Sequence, residues 1–366
     1  MLNQLQYYLF FFVTFVLYCF MKNRTRREFA TNNSRVQYLY LVMLALWLLI
    51  GMRNVLYGRD TLGYVIEFKQ STSLNLKESV EPGYDLLAYV VRVFTSNYHV
   101  YLMIVSLSMV VGMYQIMRKF FSTSYEILAA ICVYVLLGLL AFNMAALRQT
   151  ISLSMGIFAF MYADDGKWKQ FLLCVVIAYL FHNSAFVLLI IYPLRFLNVS
   201  RLGLYIALAF FTLGVISPGL IAPFIQTYIP LEDRFAQYGT IYESSQNYTG
   251  FVLQLILILI AYFSQKRLNL SQTSKNLLFN CAYIGLAVQS LTGSLAELYR
   301  LSFYFCCFDI ILVPIALSTF KGKYAEMIKW GFIVGCLIYI FILSGAGVLP
   351  VKQKYSLELF NYFNIN

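Results

Sequence analysis

Charged residues are scarce in this chain of 366 residues, and histidine is nearly absent. Asp, Glu, Lys and Arg make up 12% of the sequence, and the two histidines are His99 and His182. Average soluble domains contain about 25% charged residues. Hydrophobic residues, by contrast, make up 61% of the chain. This composition excludes an ordinary soluble domain and indicates a polytopic membrane protein.

Paired cysteines and nucleotide- or metal-binding motifs are missing as well. The seven cysteines lie in apolar runs without paired metal-ligand spacing, so we interpret them as buried small hydrophobic residues. There is no serine-hydrolase elbow, P-loop or dinucleotide fingerprint. We therefore expect no cofactor and, if the chain is an enzyme, catalysis without a metal.

Apolar runs follow one another along the whole chain, and most are close to the roughly 20 residues that a spanning helix needs. They predict an all-α polytopic membrane protein with about 10–12 transmembrane segments. No internal repeat divides the chain, so we expect a single domain over residues 1–366. The first run has no signal-peptide features and is expected to be a retained span. The runs are residues 4–21, 36–51, 99–117, 125–142, 146–163, 170–194, 202–217, 250–265, 276–293, 299–318 and 328–346.

The run 170–194 determines the topology. The net charge of +11 could suggest a nucleic-acid partner, but its distribution favours membrane topology instead. If residues 170–194 formed one span, the later basic loops would lie opposite the early ones, against the positive-inside rule. If the chain reverses near His182, most of the 27 Lys and Arg residues fall on the inside, and both termini lie outside.

Each half of that run has only about 12 or 13 residues, roughly 18 to 20 Å of helix, against a hydrocarbon core of about 30 Å. We therefore predict a pair of short, re-entrant or tilted helices with His182 near the tip. Polar residues at membrane depth mark a functional site by default, and His182, Asn183 and Ser184 are consecutive here. The cluster should lie at the bottom of a pocket that opens to the outside.

Two longer stretches are predicted to be external loops. Residues 52–98 include the periodic segment Leu86 to Phe94, for which we expect short helices at the membrane interface. Residues 218–249 are rich in proline and tyrosine and suggest a loop over the mouth of the pocket.

This topology brings charged residues from several regions to the outer face, and Arg148 is the most informative because it lies about a turn inside its span. A guanidinium at that depth should have an anionic partner. One interpretation is an ion pair with an acid such as Glu297 or Asp60, or snorkelling to the surface. The other is a phosphate, which fits the planar guanidinium. The residues expected at this face are Arg53, Arg59, Asp60, Arg148, His182, Glu232, Arg234, Glu297 and Arg300.

His182 also has two interpretations. It could simply hydrogen-bond across helices, or it could be a general base, since a neutral imidazole can accept a proton from a hydroxyl near pH 7. Asp60 competes for the role of base. Glu297 and Arg300 are three residues apart and could pair with each other. Tyr304 lies near the predicted pocket and could stack on a sugar ring, although most tyrosines here are expected in the core or at the interfaces.

Five short motifs follow one another along the chain. They are Arg53 with Gly58-Arg59-Asp60-Thr61-Leu62-Gly63-Tyr64, then Glu81-Pro82-Gly83-Tyr84, Leu147-Arg148-Gln149, Phe181-His182-Asn183-Ser184-Ala185 and Tyr299-Arg300-Leu301-Ser302-Phe303-Tyr304-Phe305. Taken in this order, they resemble the EpsG-like family, which belongs with the Wzy-type polysaccharide polymerases. The resemblance covers about residues 45–310, and Arg59 departs from the pattern because a small residue commonly precedes the aspartate.

The resemblance implies a membrane glycosyltransferase that polymerises undecaprenyl-diphosphate-linked oligosaccharides, for O-antigen, capsule or exopolysaccharide, at the outer face of the bacterial inner membrane. Implied partners are these glycolipids, membrane lipids and a chain-length regulator protein, but no nucleic acid. The diphosphate or glycan would be bound by Arg53, Arg59, Arg148, Arg300, Glu297, Arg234 and Tyr304, with His182 or Asp60 as base. The alternatives are a transporter or flippase of lipid-linked glycans and a membrane acyltransferase that modifies glycans.

Overall fold

The computed structural model describes residues 2–24, 32–53, 60–73, 79–199, 201–216, 248–293 and 298–345, and every regular element in these ranges is helical. The predicted all-α class is therefore confirmed. There are sixteen α-helices in these ranges: α1 Leu2–Arg24, α2 Asn32–Gly51, α3 Thr61–Gln70, α4 Pro82–Phe94, α5 Tyr98–Phe120, α6 Ser124–Leu136, α7 Leu139–Ala145, α8 Leu147–Asp164, α9 Trp168–Phe181, α10 Ile191–Leu194, α11 Arg201–Ile216, α12 Thr249–Ser264, α13 Gln272–Ser290, α14 Leu298–Cys306, α15 Asp309–Ser318 and α16 Ala325–Gly345.

Each apolar run of the sequence contains one of these helices or a broken pair of them. Among the described residues, three helices are long and apolar enough to cross a membrane, or up to five if each of two bent pairs is one span. The chain is thus a multi-pass membrane protein. The number of ten to twelve segments also includes shorter apolar helices and stays a prediction. The bent pairs are α6 with α7, at 61°, and α14 with α15, at 46°.

The break between α6 and α7 has a local cause. Gly138 follows α6 with a φ of 78°, in the left-handed region that glycine adopts at little cost. The chain therefore changes direction there, and α7 runs to Ala145 before α8 begins at Leu147.

The chain reverses at His182, as the charge distribution predicts. Helix α9 ends at Phe181, His182 is extended, and a 3₁₀ helix follows over Asn183–Ile190. After the reversal, the Tyr192 hydroxyl donates a hydrogen bond to the Gly166 carbonyl over 3.3 Å. The Tyr192 and Phe171 rings lie 5.2 Å apart. Residues 166–171 and 192–195 therefore share one end of a helical hairpin, and His182 is at its tip.

The end of the hairpin away from His182, which holds residues 166–171 and 192–195, belongs to a region that we call the basic end. Lys119, at the end of α5, binds Asp164 over 2.7 Å and Asp165 over 2.6 Å. Ser274, in the first turn of α13, donates to Asp164 over 2.6 Å. Asn276 donates to the Arg195 carbonyl over 3.0 Å. These contacts gather the ends of helices whose loops are predicted to lie inside.

The predicted external loop 52–98 contains α3 and α4, which confirms the expectation of short helices. They pack on α5 and α8 through a small apolar cluster that is separate from the main core. In this cluster the Phe68 ring of α3 stacks on Tyr101 at 4.8 Å, and Tyr64 lies 5.8 Å from Tyr84 of α4. The cluster holds α3 and α4 beside the start of α8. The predicted loop over the pocket, 218–249, lies almost wholly outside the described residues.

Candidate functional site

Several helix termini meet at the end of the bundle opposite the basic end. His182 follows α9, Arg148 lies in the first turn of α8, and Glu81 directly precedes α4. Arg300 lies in the first turn of α14. These residues come from distant parts of the sequence. Direct contacts join Glu81 to Arg148 and His182, and Gln149 joins α8 to the Arg300 carbonyl.

Glu81 is at the centre of the site and contacts two other residues through its two carboxylate oxygens. Oε1 lies 2.5 Å from Nδ1 of His182, and Oε2 accepts a hydrogen bond from Nη1 of Arg148 over 2.9 Å. The Glu81 side chain is only 8% exposed, whereas Arg148 and His182 are 26% and 28% exposed. A nearly buried carboxylate thus connects an imidazole and a guanidinium that both reach the surface.

The sequence Glu81-Pro82-Gly83-Tyr84 explains how the carboxylate reaches this position. Pro82 occupies the first turn of α4, where its missing N–H has no cost. A Cβ atom on Gly83 would lie 2.9 Å from the Leu180 carbonyl oxygen, so only glycine lets α4 approach the end of α9 so closely. The Glu81 side chain makes no capping hydrogen bond to its own helix. It is directed to His182 and Arg148 instead.

These partners keep Glu81 ionised. Burial by itself would raise the pKa of Glu81, because it disfavours the charged form. The hydrogen bond from His182, together with the charge and hydrogen bond of Arg148, outweighs burial and lowers the pKa below its ordinary value of 4.5. Glu81 is therefore a carboxylate at neutral pH and accepts hydrogen bonds from both neighbours.

Arg148 has a second carboxylate partner and an aromatic one. Its Nη2 lies 2.7 Å from the Glu67 carboxylate of α3, and its guanidinium lies 4.8 Å from the centre of the Tyr84 ring. The sequence predicts an anionic partner for Arg148, and the structure supplies two. They are Glu81 and Glu67, whereas Asp60 faces Arg300 and Glu297 lies outside the described residues.

Arg300 and Asp60 lie next to this centre. Nη2 of Arg300 is 3.7 Å from Oδ2 of Asp60, and both side chains are partly exposed. The neighbouring residue of Arg148, Gln149, donates to the Arg300 carbonyl over 2.8 Å. The motif Leu147-Arg148-Gln149 thereby connects Glu81 on one side with the start of α14 on the other.

Two predicted binding residues are buried beneath the site. Arg53 is 2% exposed, and its guanidinium donates to the carbonyls of Ile50 and Met144 over 2.6 and 2.7 Å. Tyr304 is fully buried, and its hydroxyl lies 3.0 Å from that of Ser152 and accepts from Ser184 over 3.3 Å. In this structure Tyr304 cannot stack on a sugar, and Arg53 holds helix ends together.

The remaining predicted residues, Arg59, Arg234, Glu232 and Glu297, lie outside the described residues. The sequence interpretation missed Glu81 and Glu67 as site residues. Glu81 had a visible signal, since an acid just before an N-terminal proline is placed at a helix start. Glu67 had none, because it resembles any exposed acid of an amphipathic helix.

The contacts give the site a definite chemical capacity. When Nδ1–H of His182 donates to Glu81, the lone pair of the neutral imidazole is on Nε2, which can accept a proton. The two arginines can bind an anion. Within the described ranges, no three His, Cys, Asp or Glu side chains are grouped so that they could hold a metal ion.

Comparison with known proteins identifies the family. Residues 36–363 match the EpsG family. The match covers most of the chain and all of the site. No curated protein and no solved structure gives a significant match. The chain therefore belongs to the EpsG family of membrane proteins of exopolysaccharide biosynthesis.

Proposed function

We propose that this protein is a Wzy-type polymerase, which joins undecaprenyl-diphosphate-linked oligosaccharide repeat units at the outer face of the bacterial inner membrane. The growing glycan is transferred from its lipid diphosphate to a hydroxyl of the next lipid-linked unit. The products would be O-antigen, capsule or exopolysaccharide, and a chain-length regulator protein is a further proposed partner.

The reaction requires one proton acceptor and one anion-stabilising group. The acceptor oxygen attacks the anomeric carbon and forms the new glycosidic bond, while the bond between that carbon and the phosphate oxygen breaks. Its electron pair leaves with the undecaprenyl diphosphate, and the acceptor proton goes to a base. Arginines in a poorly solvated site stabilise the negative charge that develops on the leaving group.

The contact between Glu81 and His182 carries this proposal. A carboxylate on Nδ1 fixes the orientation and tautomer of the imidazole, and it stabilises the imidazolium that forms when Nε2 takes a proton. His182 is therefore the proposed base. Asp60 is the less suitable candidate, because its carboxylate faces Arg300 and is available as a counter-ion instead.

Arg148 and Arg300 are the proposed ligands of the diphosphate. Both side chains are partly exposed, Arg148 shares Glu81 with His182, and a guanidinium can bind phosphate through two parallel hydrogen bonds. Arg53 supports them from below, since its donors bind carbonyls of α2 and α7. Arg59, Arg234 and Glu297 remain proposed substrate contacts.

The test is polymerisation by the purified protein in lipid nanodiscs, supplied with lipid-linked repeat units. The expected product is a ladder of longer glycans, which His182→Ala and Arg148→Ala should abolish or strongly reduce. Transport of the glycolipid without a change in glycan length would indicate a flippase instead. A ladder that persists at the wild-type rate in both variants would overturn the assigned roles.

The chain offers a matched control for each variant. His99 is exposed at the start of α5, and Arg118 is exposed at the basic end. His99→Ala and Arg118→Ala remove the same side chains away from the site. Both should polymerise at the wild-type rate.

A further inference from the structure

The two arginines of the site are both paired with carboxylates of the same short helix. Glu67 of α3 contacts Arg148 over 2.7 Å, and Asp60, which immediately precedes α3, lies 3.7 Å from Arg300. The two acids are seven residues apart, about two helical turns, and therefore lie on one face of the helix. Helix α3 and its N-cap thus place one carboxylate beside each arginine.

The two carboxylate partners of Arg148 differ in how firmly they are held. Glu81 is nearly buried and also bound to His182, whereas Glu67 is 44% exposed. An exposed ion pair contributes little to stability, because water screens it and two long side chains must be ordered. Glu67 can therefore leave Arg148 without disturbing Glu81.

The position of Asp60 indicates that its pair with Arg300 is also weakly held. Aspartate at a helix N-cap usually accepts a hydrogen bond from the backbone of the first turn. Asp60 is the N-cap residue of α3, but its side chain makes no such bond. Its carboxylate faces Arg300 at 3.7 Å, longer than a hydrogen bond. An anion that binds Arg300 more strongly can therefore replace Asp60.

Helix α3 attaches to the bundle through a short apolar face, on which Thr61, Val65 and Phe68 are buried. The helix has ten residues, which is too short to be stable in isolation. On its apolar face, Phe68 stacks on Tyr101 and Tyr64 contacts Tyr84. This buried apolar face, together with the acidic pairs, holds α3 over the site, so the carboxylates can leave the arginines while α3 stays attached.

We propose that α3 is an acidic lid, whose Glu67 and Asp60 neutralise Arg148 and Arg300 in the empty protein and leave them when a lipid diphosphate binds. This inference rests on the proposed function, because it takes the two arginines as the diphosphate site. A diphosphate carries more negative charge than a monophosphate and therefore competes more strongly with these carboxylates for the arginines.

The test is binding of farnesyl diphosphate and farnesyl monophosphate to the full chain in nanodiscs. Glu67→Gln and Asp60→Asn each keep the shape of the side chain and remove its charge. Each should tighten diphosphate binding by about two- to five-fold, the size expected for an exposed ion pair. The wild-type protein should prefer the diphosphate. Unchanged or weaker diphosphate binding in both variants would overturn the lid.

A double-mutant comparison separates the lid from a general effect of charge. The gain from Glu67→Gln should disappear when Arg148 is already alanine, and the gain from Asp60→Asn should disappear in the Arg300→Ala protein. A gain that persists without the arginine would overturn the proposal. Asp85→Asn is the control, since Asp85 is a nearby acid that is bonded to Ser79. It should leave binding unchanged.

The same measurements distinguish failure of the lid from failure of the proposed function. If Arg148→Ala weakens diphosphate binding but Glu67→Gln does not tighten it, the diphosphate site stands and the lid is wrong. If Arg148→Ala and Arg300→Ala both leave binding unchanged, the diphosphate site itself is wrong, and the lid is overturned with it.

Discussion

The substitution Glu81→Gln tests the centre of the site, because it keeps the shape of the side chain and removes its charge. An amide has one accepting oxygen and one donating nitrogen, whereas the carboxylate accepts at both oxygens. In the wild-type protein, one oxygen faces His182 and the other faces Arg148. Glutamine can satisfy only one of these donors.

Both orientations of the glutamine damage the site. If its oxygen faces Arg148, its NH₂ group faces Nδ1 of His182, which must then accept. The imidazole hydrogen moves to Nε2, and the proposed base is lost. If the oxygen faces His182 instead, the NH₂ group opposes the donors of Arg148, and the imidazolium loses its counter-charge.

The expected loss follows from the role of the carboxylate. A general base contributes about 10²- to 10⁴-fold to the rate, and replacing a carboxylate that orients a catalytic histidine can cost about 10⁴-fold. We therefore expect kcat to fall about 10²- to 10⁴-fold. The loss of a hydrogen bond between charged groups costs about 1.5 to 3 kcal/mol of stability. The cost should be near the lower value, because Arg148 retains Glu67.

The assay is the initial rate of glycan elongation in nanodiscs, with a thermal unfolding midpoint measured on the same samples. A positioning role predicts a large decrease in kcat with a small change in KM, and partial recovery in Glu81→Asp. Glu326→Gln is the matched control, since Glu326 is 71% exposed and pairs with Lys329 three residues away. A folded Glu81→Gln protein that elongates glycans at the wild-type rate would refute the role of Glu81.

Three further predictions concern the surroundings of the site. Gly83→Ala should lower the unfolding midpoint by the equivalent of about 1 to 3 kcal/mol and reduce elongation, because the new Cβ would lie 2.9 Å from the Leu180 carbonyl oxygen. The control Gly63→Ala has open space at its Cβ and should be neutral or slightly stabilising. Equal effects of the two substitutions would contradict the close approach of α4 to Leu180. Because the pKa of Glu81 is lowered on folding, its contribution to stability is full above its ordinary pKa and is lost as pH falls through the lowered value. Acidification from about pH 5 to 3 should therefore destabilise the wild-type protein more than Glu81→Gln, and parallel curves would argue against this linkage. Tyr304→Phe should lower stability by about 1 kcal/mol without changing KM for the glycolipid, and a selective rise in KM would indicate a substrate contact instead.

The reversal at His182 could be predicted because it follows from charge that is spread over the whole chain. Basic loops on both sides of residues 170–194 require an even number of crossings between them, whatever the side chains in the run do. The structure places Tyr192 beside Gly166 and so confirms the reversal. Long-range topology is accessible from sequence when many residues contribute to the same constraint.

The partners of Arg148 could not be predicted in the same way, because they depend on local approach. The sequence predicts that a guanidinium at this depth in its span needs an anion, but several acids are available at the same end. Glu81 is selected because Gly83 lets α4 contact Leu180, and Glu67 is selected because Phe68 stacks on Tyr101. Such contacts depend on differences of one or two ångströms in how closely helices approach. The pattern of apolar residues does not encode these differences.

The shared carboxylate links substrate binding to proton transfer in the proposed reaction. In the empty protein, Arg148 is neutralised by Glu81 and Glu67. The two carboxylate oxygens of Glu81 contact Arg148 and His182. A diphosphate that binds Arg148 adds negative charge beside the same group. Because Glu81 contacts both Arg148 and His182, it positions the diphosphate ligand and the base relative to each other. The arrangement therefore brings Nε2 of His182 and the leaving group together in one geometry.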